Sequence, residues 1–76
     1  MKLQTIINRI NKMGFHARLS DTNRVTVSAE HNDNAADYYG EFRGGYPWIN
    51  PKLEKFAESL GAYWEWDSPG SISLSS

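Results

Sequence analysis

The 76-residue sequence has no cysteine, so neither a disulfide framework nor a thiolate metal site can hold the chain together. Its charges nearly cancel, at a net −1, which excludes the uniformly basic character of a general nucleic-acid binder. No apolar run approaches the roughly 18 residues that a membrane span needs, and the first residues lack the apolar stretch of a signal peptide. There is no Gly-x-Ser-x-Gly elbow, no phosphate loop ending in Gly-Lys-Ser or Gly-Lys-Thr, and no His-Glu-x-x-His. His16 and His31 are the only histidines, and His31 stands in a polar stretch where a solvated side chain is the simpler expectation. Glu30, His31, Asp33 and Asp37 fail the EF-hand spacing. These absences lead us to expect a soluble, cytoplasmic, non-enzymatic protein of one small domain over residues 1–76. They also lead us to expect no metal, cofactor or membrane partner.

What is present is unevenly distributed. Lys2, Arg9, Lys12, Arg18 and Arg24 face only Asp21 in residues 1–29, whereas eight acids outnumber Arg43, Lys52 and Lys55 beyond them. Phe15 is the one aromatic of the first part, and the remaining aromatics run from Tyr38 to Trp66. Opposite charge in two parts of one chain supports either electrostatic steering of a partner or self-complementarity.

Leu3, Ile6, Ile7, Ile10 and Met13 recur at helical spacing, and Gly14 suits the left-handed position that ends a helix, so residues 3–13 read as an amphipathic helix. Residues 15–29 alternate about a Ser20-Asp21-Thr22-Asn23 turn, with Phe15, Ala17, Leu19, Val25 and Val27 inward: a β-hairpin. A third strand is expected over 37–42, weakened by Gly40, followed by a turn-rich connection over 43–49. Asn50-Pro51 opens a second helix over 51–60, because Asn caps free N–H groups and Pro suits the first helical position. Residues 62–75 alternate again as a second hairpin.

Shifting the chain by 47 residues superposes the two halves without a gap. Ile6 falls on Leu53, Met13 on Leu60, Gly14 on Gly61, and Ala17, Leu19, Val25 and Val27 on Trp64, Trp66, Ile72 and Leu74. The fold class that follows is α+β, an αββ-β-αββ pseudo-repeat with two helices packed on one face of a single, mostly antiparallel sheet. This order is a circular permutation of the ferredoxin-like βαββαβ arrangement.

Two surfaces are candidates for function. The sheet face away from the helices would carry Arg18, Arg24, Tyr63 and Glu65, together with His16, Thr26, Ser28, Asp67, Ser71 and Ser73; an ordinary solvated sheet face has the same look. Tyr39 and Glu41 or their neighbours would join that sheet face, while Tyr38, Tyr39, Phe42, Tyr46 and Trp48, with Arg43, form a cluster of the residue types that dominate binding hot spots, although a small core needs aromatic bulk as well. The expected function is a small binding protein that docks on a larger protein or ribonucleoprotein and blocks or modulates it. Anti-defence inhibitors of viruses and mobile elements, of anti-CRISPR or anti-restriction type, share this profile. Acidic residues imitating a phosphate backbone would suit such a role. The alternative is a single-stranded nucleic-acid module using the aromatics as a stacking platform. A homodimer is also compatible, with Ser71–Ser75 expected as an edge strand of unpaired backbone groups.

The helix-then-hairpin of residues 1–29 resembles the start of the HicA-like messenger-RNA-cleaving toxins, which have a double-stranded-RNA-binding-type fold. Those toxins carry Gly-Ser-His on the second strand. Arg24-Val25-Thr26-Val27 stands there in this chain, so the histidine their chemistry needs is missing and no ribonuclease activity is implied.

Overall fold

A computed structural model describes residues 2–31, 34–39 and 47–76. Helix α1 spans Leu3–Lys12, β1 Ala17–Leu19, β2 Val25–Ser28, β3 Ala36–Asp37, β4 Trp48–Ile49, α2 Pro51–Ser59, β5 Tyr63–Ser68 and β6 Ser71–Ser75. Four strands form an antiparallel sheet in the order β1-β2-β6-β5, and β3 and β4 pair separately.

Local chemistry sets the ends of both helices. Arg9 and Lys12 place positive charge in the last turn of α1, where the helix dipole is negative. Asn50 accepts the backbone N–H of Lys52 at 2.9 Å and Pro51 follows it, so α2 starts where expected. Gly14 and Gly61, 47 residues apart, both leave their helices at positive φ, 97° and 69°.

The 47-residue repeat is visible in the register. Ala17 pairs with Val27 and Leu19 with Val25; 47 residues on, Trp64 pairs with Leu74 and Trp66 with Ile72. The two hairpins join through β2 and β6, where Thr26 pairs with its own equivalent, Ser73. A pseudo-two-fold axis therefore runs through the Thr26–Ser73 pair, normal to the sheet, exchanging α1-β1-β2 with α2-β5-β6.

One face of this sheet meets the helices. Ile6, Ile7 and Ile10 of α1 and Leu53 and Ala57 of α2 are buried with Phe15, Val25, Val27 and Ile72. Ala17, Trp64, Trp66 and Leu74 pack against them half-buried. Each helix is also tied to its hairpin, by different means. Asn11 Oδ1 accepts the Ala17 N–H at 2.7 Å, whereas the Trp64 indole N–H donates to the Leu53 carbonyl at 2.8 Å.

Four expectations require correction. The sheet is not single, because residues 48–49, expected within a turn-rich connection, form β4 against β3. The strand expected over 37–42 ends at Asp37, where Tyr38 turns its ring onto Trp66 at 5.1 Å; residues 40–42 lie outside the described ones. Leu19 is 45% exposed rather than inward, at the end of a short edge strand. Ser71–Ser75 is a central strand, flanked by β2 and β5, and cannot offer an unpaired edge. The edge on that side is β5, which bears Glu65 and Asp67 and a register shift between Trp66 and Ser68, features that oppose edge-to-edge pairing.

Candidate functional site

The structure distributes the expected site residues over two surfaces. Arg18, Arg24, Tyr63 and Glu65 share the outer face of the four-stranded sheet, because alternation places them opposite the buried Val25, Val27 and Ile72. The register aligns Arg18, Thr26, Ser73 and Glu65 in one row across all four strands. Arg24 Nη2 donates to Glu65 Oε2 at 3.3 Å and also reaches Ser75 Oγ. Thr26 and Ser73, at the middle of the row, are buried, with their hydroxyls 3.0 Å apart. Ser73 donates to Asp67. The row runs from a cation on β1 to a carboxylate on β5.

Tyr39 and Trp48 lie elsewhere, on the two-stranded sheet and the segment after it. Trp48 is half-buried in β4 opposite Asp37. Tyr39 is 65% exposed and meets Tyr38 edge-on at 5.4 Å. Tyr38 in turn stands edge-on to Trp66. The three rings form a ladder from the sheet to solvent, and Glu30, Asp37, Pro69 and Gly70 line a shallow hollow beside it. Asn50 holds this segment in place, its side chain donating to the Asn34 carbonyl at 3.0 Å and its N–H to the Ala35 carbonyl at 2.9 Å. Glu41, Arg43 and Tyr46 lie outside the described residues.

Tyr38 belongs to the expected aromatic cluster, but its contact with Trp66 could not be foreseen, since nothing in the pattern pairs it with a residue 28 positions away. Sequence reasoning missed the stack of His16 on His31, whose ring centroids are 3.7 Å apart and nearly parallel. Among the described residues, no group of three or more His, Cys, Asp or Glu is placed to hold a metal ion, and no helix is long and apolar enough to cross a membrane. No protein-family model matches the chain, and comparison with curated proteins and with solved structures finds no significant match.

Proposed function

We propose that this is a non-catalytic binding protein that docks its Tyr38–Tyr39 corner on a basic surface of a larger protein and thereby blocks it. The observation that carries this reading is the ring ladder. Tyr39 is exposed yet braced through Tyr38 on Trp66, so a large amphipathic side chain is presented at low entropic cost on binding. Charge supports the nature of the partner. Glu30, exposed beside the rings, repels phosphates and complements a cationic surface such as the nucleic-acid channel of another protein. Occlusion of such a channel is how a small cytoplasmic anti-defence inhibitor, of anti-CRISPR or anti-restriction type, would act.

The alternative, a module for single-stranded nucleic acid, draws on the same exposed Tyr39 ring as a stacking surface. Capture on immobilised protein, with and without nuclease, separates the two. The expected result is one protein partner that survives nuclease, is released by salt, and is lost with Tyr39→Ala but kept with Lys55→Glu on the far side of α2. Nuclease-sensitive capture would favour the alternative, and retention by Tyr39→Ala would dismiss this corner as the site.

A further inference from the structure

The two outer edges of the four-stranded sheet are repeat equivalents, yet they end differently. Ala17 of β1 turns its N–H and C=O outward, and one side chain meets both. Asn11 Oδ1 accepts the N–H at 2.7 Å, and Asn11 Nδ2 donates to the carbonyl at 3.4 Å. At the other edge, 47 residues on, Trp64 stands in the place of Ala17 and Glu58 in that of Asn11. A carboxylate cannot donate, and the Glu58 side chain bonds neither backbone group of Trp64 among the described residues. The phase of the ladder fixes which groups β5 leaves open. The Ala29 N–H bonds the Gly70 carbonyl, so Gly70, Ile72 and Leu74 turn to β2 while Ser73 and Ser75 turn to β5. Tyr63 and Glu65, opposite Ser75 and Ser73, therefore direct their backbone groups to β6. Trp64 and Trp66 direct theirs out of the edge, where they have no hydrogen-bond partner among the described residues.

A place for a side chain adjoins this open ladder. Between β5 and α2 lies a hollow of about 270 Å³, lined by Ile49, Ala57, Ala62 and Trp64, with Glu54 and Glu58 beside them. Both glutamates are exposed, and their carboxylates make no ion pair among the described residues. Helical spacing puts Lys52 on the opposite flank of α2 and Lys55 one row nearer solvent. Glu65 and Asp67 add negative charge along the strand itself.

We infer that the outer edge of β5 takes up an extended basic segment of another protein as a fifth strand of the sheet. Backbone pairing with Trp64 and Trp66 supplies the attraction common to strand addition, and alternate side chains supply selectivity. A partner residue opposite Trp64 points to the helix side, because residues paired across a ladder share a face. It enters the hollow, where a lysine or arginine lays its methylenes against Ile49 and Trp64 and carries its charge to Glu54 and Glu58. The carboxylates that keep two copies of β5 apart are the ones that favour a cationic strand. The register shift after Trp66 confines the added strand to residues 62–66. This site does not rest on the Tyr39 corner.

Nuclear magnetic resonance on the isotope-labelled full chain tests the inference, with a short capped peptide of alternating threonine and lysine as the probe. At about 50 mM salt the peptide should shift the Trp64 and Trp66 amide resonances and slow their hydrogen exchange, and about 500 mM salt should weaken it. Methylating the backbone nitrogens of its lysines removes the donors aimed at β5, keeps every charge and should abolish binding. Glu54→Gln combined with Glu58→Gln should weaken the parent peptide on the order of tenfold. Tyr39→Ala should leave its affinity unchanged. Unmoved Trp64 and Trp66 amides, equal binding by the methylated peptide, an unaltered affinity in the double variant, or loss with Tyr39→Ala would each overturn the inference. The resonances of Val25 and Val27 in the same spectra report whether each variant is folded, so a lost fold is not mistaken for a lost site.

Discussion

Thr26 and Ser73 are the two buried polar residues among those described, and the pseudo-two-fold axis passes between them. A serine has one proton to give, and Ser73 gives it to the Asp67 carboxylate, which can only accept. The bond between the hydroxyls is therefore donated by Thr26. Two variants that look equivalent should then differ. Ser73→Ala leaves a buried Thr26 donor without an acceptor, at a cost of about 1–3 kcal/mol. Thr26→Val keeps the shape of the site and the Ser73–Asp67 bond, and should cost less. Thermal unfolding reads the difference, since 1 kcal/mol shifts Tm by about 4–8 °C in a chain of this length. Equal losses, or the reverse order, would contradict this assignment of donors.

At the scale of elements, Asn50 joins two structures with one side chain. It caps α2 through the Lys52 N–H and clamps the segment before β3 through the Asn34 carbonyl. Asn50→Ala should destabilise the protein by about 1–2 kcal/mol, and hydrogen exchange should quicken at Lys52 and through Ala36–Asp37 together. A loss confined to the first turn of α2 would show that the clamp contributes nothing. The cap itself was readable from Asn50-Pro51, as were both helices and both hairpins, because helical spacing, alternation and turn residues are local signals. The repeat even placed Thr26 opposite Ser73 in the alignment. Beyond reach were the facts that depend on which strand lies beside which. The pattern Ser71-Ile72-Ser73-Leu74-Ser75 reads identically at an edge or in the middle, and only the pairing with Val25–Ser28 settles it. The same limit divided the site. Arg18, Arg24, Tyr63 and Glu65 share a face because alternation fixes sidedness, whereas the braced position of Tyr39 depends on Tyr38 meeting a tryptophan far along the chain.

The molecule as a whole consists of two similar halves joined at β2 and β6. Val27 and Ile72 pair across that joint and are fully buried, one from each half. A chain of 76 residues has only about 4–11 kcal/mol of stability in total, so loss of either side chain bears on both halves. Val27→Ala and Ile72→Ala should each cost about 2–4 kcal/mol, with unfolding still a single transition and a double variant that departs from additivity by at least about 0.5 kcal/mol. Two separate transitions in urea would instead mark the halves as independent units. The position of β6 has a further consequence, for the order of events during synthesis. The strand that fills the middle of the sheet is the last of the described elements to be made. Until it emerges, β2 carries an open edge, β5 has no neighbour, and the hydrophobic faces of both helices have half a sheet to cover. The chain cannot complete its fold progressively from the N-terminus; it must wait for residues 71–75 and then close around them.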